Sequence, residues 1–469
     1  MQALFCGIDI GTTNIKAVLV DADGRTHATK TRPTPRTRDE TGPVTNASAL
    51  VAAVEALIFA TWRASGAIRP IVAISSAGVG EDGLTVAPGT LAPTSVSIPW
   101  FDRRAAAEAE DLQQRLPSST LTGIVFEPTR TAAKWLWLAR HSENDAGLWL
   151  ALTDYPLAVW SGRPFMSETL AARTACYDVT ARAWIPELLA AARAPDLPPV
   201  LAAGAVIGAM QAGPLTQSGA CSTETMLVAG GHDHPVAASF IRRLDRDAIV
   251  DSLGTAELIY AEASHYAPRP GTSLVHSVPI TAAAGQSISY VFEFGEAMRV
   301  LGPAPDWQAA LGRISTADFA SDPPWLPSRS ALAALAHTDG GAGNGAMLSH
   351  LPALLEGCAF VTRSVIDEML HAGVKESPVY SSGGWSRSDP LMRWRATLLG
   401  RPLFRIDESE QAGVGAALLA RDSVGSGGDK AMPHARVDRF DPDPSAAAFH
   451  TERFSFVQAD LTSLRALRH

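Results

Sequence analysis

A chain of 469 residues, 46% of them apolar and 19% charged, is too long for one hydrophobic core and suits two globular domains. Its net charge of −9 and pI near 5.8 weigh against a nucleic-acid or anionic-membrane partner. The four cysteines, Cys6, Cys176, Cys221 and Cys358, are scattered without a CxxC pair, so buried reduced thiols are expected rather than a zinc site or a disulfide framework.

The opening run "ALFCGIDI" (3–10) reads as a buried strand, without the basic and apolar stretches of a signal peptide. After a glycine, two threonines and Lys16, "AVLVDADG" (17–24) reads as a second strand and its turn. Residues 46–66 place apolar side chains at helical spacing and stop at Gly66. A strand is expected over 70–78, then helices over 103–116 and 131–141, a strand–helix alternation that implies an α/β layered fold. The weakly polar run 198–213 falls short of the ~20 residues a membrane span needs, and a cytoplasmic protein is expected.

A second set of signals starts near residue 226. Residues 225–231 read as a strand ending in glycines, and 234–243 as the helix after it. Residues 248–264 read as two strands joined by a tight Gly-Thr turn. Their Asp251-Ser252-Leu253-Gly254-Thr255 echoes Asp9-Ile10-Gly11-Thr12, as two related halves would. The strongest helix covers 350–373, with Leu351, Leu354, Leu355, Cys358, Val361, Val365 and Met369 on one stripe. A strand, a glycine turn and a helix follow over 377–400. Residues 422–438 look like a linker and the last segment like a peripheral helix.

Three loops, 9–16, 251–255 and 381–388, share a strand end, glycine, hydroxyls and an acid close by. Backbone N–H groups freed by glycine turns hold anions, and Lys16 adds a positive charge. Asp9 would repel a phosphate unless a divalent cation lay between them, which makes Mg2+ part of the reading. Turn capping by Asp9 and the threonines is the plain alternative. No GxxxxGK[ST] occurs, and "GGAGNG" (340–345) reads as a loop.

"GGHDHP" (230–235) would lift Asp233 to the C-terminal end of a sheet, where a carboxylate can take a proton from a hydroxyl. The alternative is an N-cap for the helix that follows. His232 and His234 invite a metal reading, but no third ligand accompanies them at a recognisable spacing. Glu81, Asp82, Asp102, Arg104 and Trp100, in loops after strands, suit a polyhydroxy ligand. Alternatively, Asp102 caps the 103–116 helix and Arg104 is solvated.

The ordered motifs "GIDIGTTNIK", "PWFDRR", "VAGGHDH", "DSLGTAE", "LLEGCAF", "SSGGWSRSDPLMRWRATLLGRPL" and "ESEQAGVGAALLA" span about residues 4 to 420. On them the chain resembles the FGGY carbohydrate kinases of the actin–hexokinase-like ATPase superfamily. The resemblance implies an α/β fold of two ribonuclease-H-like domains with an interdomain ATP and sugar cleft. It places an N-terminal domain with the phosphate hairpin and sugar site over 1–243, a C-terminal domain with the adenosine site over 244–425, and a linker and peripheral helix over 426–469. It implies ATP and Mg2+, with Asp9 acting on the metal and Gly11, Thr12, Thr13 and Lys16 near the β/γ-phosphates. Gly254 and Thr255 would form a second phosphate loop, and Gly383, Gly384, Arg387 and Ser388 would lie along the adenosine.

By the same resemblance Asp233 is the base, and Glu81, Asp82, Trp100, Asp102, Asp233 and His234 face the sugar. The chain departs from the family at the substrate end. Xylulokinases usually show Ser-Gly-Gln-Met-His-Gly where "SAGVGEDG" (76–83) stands, and the Arg that precedes the Glu in glycerol kinases is replaced by Gly80. The implied activity is γ-phosphoryl transfer from ATP to a small sugar or polyol, with a pentulose as the best bracket. Glycerol, erythritol, ribulose or a hexulose are alternatives, and a non-catalytic nucleotide- and sugar-binding sensor or a sugar-stimulated ATPase are the rivals of another kind. No nucleic acid or membrane partner is implied, and a homodimer is compatible.

Overall fold

The computed structural model describes residues 3–116, 121–141, 147–254, 256–267, 272–280, 282–300, 304–320, 324–325, 349–425 and 435–466. Thr255 and the 340–345 loop therefore lie outside the described residues, as does most of the expected linker. The chain divides into two compact units. One comprises Met1–Leu244, His276–Gln286 and Glu410–His434, and the other Asp245–Val275, Ser287–Ser409 and Ala435–His469.

The first unit is built on a six-stranded sheet in the order Val206–Ala209, Met226–His232, Ala73–Gly78, Leu4–Ile10, Asn14–Asp21, Thr26–Pro33. Met226–His232, Ala73–Gly78 and Leu4–Ile10 run parallel, and the opening hairpin is antiparallel. Alternation along the first strand separates its two faces. Leu4, Cys6, Ile8 and Ile10 join the core that also takes Leu50, Val54, Leu57 and Ile58 from the helix Ala47–Ala64. Asn46 caps that helix by accepting from the Ala49 N–H at 2.9 Å, and Gly66 follows it at φ +69°. By length and composition this helix could cross a membrane, but its apolar stripe is buried in the protein.

Gly7 and Asp9 face the other way, toward the helix Gln411–Val424. A Cβ on Gly7 would stand 1.8 Å from the Gly413 carbonyl oxygen, and one on Gly413 would stand 2.6 Å from Val18. Gly415 likewise admits the Val236 carbonyl of the helix Asp233–Leu244. Small residues on one helix face thus let it sit directly on the sheet, and residue 410 is carried to the end of the first strand.

The second unit repeats the plan around a seven-stranded sheet, ordered Val275–Ser277, Gln286–Phe292, Glu257–Ala263, Ile249–Leu253, Val379–Ser382, Leu403–Ile406, Val437–Phe440. Again an antiparallel hairpin, Ile249–Leu253 with Glu257–Ala263, leads into parallel neighbours. The echo between the two Asp-Gly-hydroxyl stretches is therefore topological. Chemically it fails at the acid: Asp251 is fully buried and paired to Arg395 at 3.0 Å, whereas Asp9 stands at the mouth of its hairpin.

Helix Leu351–His371 buries the expected stripe and also Glu356, which accepts from His450 at 2.6 Å and from Arg453 at 2.8 Å. Those partners belong to the helix Pro444–Ala466. Expected to be peripheral, it lodges His450, Phe454 and Leu461 in the interior. Residues 437–440, where the expected linker gives way to the expected helix, form the edge strand instead. All four cysteines are buried and none of them is in a disulfide.

Candidate active site

The three parallel strands of the first unit fix the site. Asp9 pairs in register with Ala77, and Ala77 with Gly231; one step on, Ile10 meets Gly78 and Gly78 meets His232. Asp9, the loop after Gly78 and Asp233 therefore emerge together at the C-terminal ends of neighbouring strands, where α/β sheets collect ligands. Two strand spacings put the Asp9 and His232 backbones about 10 Å apart.

At the hairpin tip the Gly11 N–H donates to the Asn14 carbonyl at 3.0 Å, closing a turn so tight that a Cβ on Gly11 would stand 2.9 Å from that oxygen. Thr34 and Arg36 hold the tip from outside: Thr34 Oγ1 donates to the Gly11 carbonyl at 2.8 Å, and Arg36 Nη2 to the Thr12 carbonyl at 3.0 Å. Thr13 is exposed. Lys16 lies 3.9 Å from Asp9 and 2.7 Å from Glu410, the residue delivered by the glycine-faced helix. Burial, then the charges of Asp233 and Glu410, push the Asp9 carboxyl up to about 7 against the pull of Lys16. Burial works against the Lys16 ammonium, yet Glu410 and Asp9 hold it above its ordinary value.

Asp233 opens the helix Asp233–Leu244, one residue before the start expected from sequence, and accepts from the His234 N–H at 2.8 Å. That is not the N-cap bond to the second or third residue on, and the side chain stays a quarter exposed. His232 is inset: its N–H donates to Thr169 Oγ1 at 2.9 Å, and burial lowers its imidazole to about 3, leaving it neutral.

The expected sugar-side residues divide. Glu81 is enclosed, and a single oxygen, Oε1, accepts from Arg130 at 2.7 Å and from Arg173 at 2.9 Å. Burial alone would raise its pKa, but Arg173 and Arg130 hold it well below the usual carboxylate range. Asp82 is buried, and burial pushes it up to about 6 although Lys134 and Arg36 attract it. Lys134, itself buried, donates to the Glu81 and Ile98 carbonyls, and burial lowers it to about 8.

Trp100 keeps an exposed ring and donates through Nε1 to Thr12 Oγ1 at 2.8 Å, tying its own loop to the hairpin. Asp102 does not cap the helix, which begins at Ala106; it pairs with Arg104 at 2.8 Å, and that arginine is enclosed rather than solvated. A separate open recess of about 670 Å³, between Tyr177, Trp184, Arg193 and Val200, shares none of these residues.

In the second unit Ser252 and Ser382 pair in register, so the Gly254 and Gly383–Gly384 loops lie side by side. Gly383 takes φ +88°, and a Cβ there would stand 2.4 Å from the Leu253 carbonyl. Gly384 and Arg387 are exposed, while Ser388 caps the helix Asp389–Leu399.

Five charged residues in these networks were not singled out from sequence: Arg36, Arg130, Lys134, Arg173 and Glu410. Each meets a partner from an element remote in sequence, and of the five only Glu410 lies within a quoted motif.

Residues 4–239 match the model of the FGGY family of carbohydrate kinases, N-terminal domain, and residues 323–421 that of its C-terminal domain. The chain is 28% identical over 457 residues to a glycerol kinase of Gloeobacter violaceus, covering 90% of this chain and 89% of that one. It is 26% identical over 448 residues to a xylulose kinase of Escherichia coli, covering 89% and 90%. Among solved structures, the gluconate kinase of Lactobacillus acidophilus superposes with a TM-score of 0.83 at 19% identity over 99% of each chain.

Proposed function

The chain belongs to the FGGY family of carbohydrate kinases, ATP-dependent enzymes acting on a small sugar or polyol, and from that premise we propose a pentulose acceptor and Asp233 as base. The observation that carries the role of Asp233 is its emergence at the same sheet edge as Asp9, from parallel strands on either side of Ala73–Gly78, close enough for the two charges to interact. One carboxylate would serve the nucleotide–metal end, and the other the acceptor hydroxyl.

Asp9 fits Mg2+: it is a hard oxygen donor, raised by burial and by two neighbouring acids, with one ammonium opposing. The ion would neutralise charge on the transferring phosphoryl group. Gly11, Thr12 and Thr13 present the hairpin tip to the phosphates, and Lys16, held by Glu410, supplies a fixed positive charge. Gly254, Gly383, Gly384 and Arg387 are the proposed nucleotide contacts of the second unit, with Ser388 holding the adjoining helix and Thr255 outside the described residues.

On the acceptor side Asp233 receives the hydroxyl proton as its oxygen attacks phosphorus. Trp100 offers an apolar face to the carbon chain, and Asp82 and His234 offer polar contacts. Glu81 and Asp102 act at one remove, orienting Arg173 and Arg104. The number of charged groups gathered here favours an acceptor with more hydroxyls than a triol, and so a pentulose over glycerol. Similarity of 28% to a glycerol kinase against 26% to a xylulose kinase keeps glycerol as the second reading.

The test is ADP production with Mg–ATP across C3 to C6 polyols, ketoses and aldoses. A pentulose should turn over with the highest kcat/KM. Asp233→Asn should lower kcat by roughly 10²–10⁴ while ATP binding, read by calorimetry, persists. Unchanged turnover in that variant would remove Asp233 from its role, and a clear preference for glycerol would overturn the pentulose assignment.

A further inference from the structure

We propose that His232, Asp233 and His234 form a binding site for a borderline transition-metal ion of the Zn2+ type, and that its occupation inhibits the kinase. The inhibitory half rests on Asp233 being the base; the site itself does not.

From sequence the two histidines lacked a third ligand. The structure supplies it from between them. Three consecutive residues on a strand would point alternately to opposite faces. Here they straddle the junction between the strand Met226–His232 and the helix Asp233–Leu244, and their side chains converge. One ligand atom from each lies within 4.8 Å of the other two. His232 Nε2 stands 3.2 Å from Asp233 Oδ1, and His234 Nε2 stands 3.8 Å from the same oxygen.

An ion with metal–ligand bonds of 2.0–2.2 Å in tetrahedral geometry sets its ligands roughly 3.3–3.5 Å apart. The His232–Asp233 pair already meets that spacing. His234 has only to close by a fraction of an ångström to an ångström or so, and its exposed ring has room to turn.

The inset ligand is held in advance. The His232 N–H is fixed on Thr169, and Gly231, at φ +150°, admits the Thr169 hydroxyl where a Cβ would come within 2.0 Å. Gly80 clears the other side, since a Cβ there would stand 2.9 Å from the imidazole. Ordering cost on binding is correspondingly small. Two imidazoles and one carboxylate suit Zn2+, Co2+ or Ni2+, whereas Mg2+ prefers oxygen donors throughout, so the Mg2+ that accompanies ATP would not compete here. A bound ion takes the lone pair of Asp233 that would otherwise accept a proton, and its open coordination position lies where the acceptor must come.

Co2+ is the probe, added to the full chain without nucleotide. One equivalent should give the visible absorption of tetrahedral Co2+, and Zn2+ should displace it. His232→Asn and His234→Gln should each weaken Co2+ binding at least about 10-fold. The His234 variant alters an exposed side chain and keeps the test valid if the first fails to fold. With free Zn2+ buffered and Mg–ATP saturating, the KM for the sugar should rise several-fold while kcat holds.

Absence of a one-equivalent spectrum, or a spectrum indifferent to both substitutions, overturns the site even in an active kinase. Tight binding at the three residues without inhibition overturns the regulatory half and counts against Asp233 as base. A chain that binds Co2+ there but phosphorylates no sugar supports the site and refutes the acceptor assignment instead.

Discussion

Replacing Asp9 by asparagine should stabilise the nucleotide-free protein at pH 8 while abolishing its kinase activity. The Asp9 carboxyl is raised to about 7, first by burial and then by Asp233 and Glu410. Between about pH 4 and pH 7 the native state keeps a proton there that the unfolded chain gives up. Native stability therefore falls as pH rises through that window, and the full penalty stands above it. A rise of about three pK units corresponds to about 4 kcal/mol. That is a ceiling, because the Lys16 contact at 3.9 Å is lost with the carboxylate and the side chain is partly open to water.

A net gain of about 2 kcal/mol should lift the melting midpoint by roughly 4 °C for a unit of this size. Tryptophan fluorescence melts of both proteins at pH 4.5 and pH 8, without divalent cations, read it directly. The variant should match the parent at pH 4.5 and exceed it at pH 8. Equal midpoints at both pH values, or a variant less stable at pH 8, would refute the claim that Asp9 is held at an electrostatic cost until a cation arrives.

Glu81→Gln leaves Arg173 without its carboxylate and Arg130 with Glu127 alone, and should cost about 3–5 kcal/mol in urea unfolding. Gly7→Ala drives a methyl group toward a backbone oxygen that cannot swing aside, and should cost at least about 1–3 kcal/mol together with most of the activity, because Asp9 is two residues on. Arg395→Met abandons Asp251 and Glu257 in the interior of the second unit; about 3–5 kcal/mol should be lost, more at alkaline than at acid pH, as Glu257 is already pushed up to about 8 by burial.

The strands, the long helices and the acid at the tip of the first hairpin were legible because each rests on local signals: alternation, 3.6-residue spacing, glycine at a tight turn. Asp9 and Asp233 could be named because they sit at strand ends next to glycines. What escaped were groups whose meaning depends on long-range partners. Nothing around Arg173 announces that it meets Glu81, 92 residues away. Glu410 reaches Lys16 only because Gly413 lets a helix touch the first strand. Asp251 misled for the converse reason: its local pattern copied that of Asp9, while Arg395, 144 residues on, had neutralised it. The C-terminal helix looked peripheral because its apolar residues are sparse, yet a buried His450–Glu356 pair anchors it.

The helix that lies on Gly7 ends a long wait. During synthesis, at roughly 5–20 residues per second, the ribosome releases residue 413 some 20–80 s after the first strand. Until then the face of that strand bearing Phe5, Gly7 and Asp9 has no cover, although the rest of its sheet is already made. A nascent chain stalled or cleaved before this helix would carry nearly all the proposed chemistry and still be a substrate for chaperones and proteases. In this enzyme the surroundings of the Asp9 carboxylate are completed only after some four hundred intervening residues have been made.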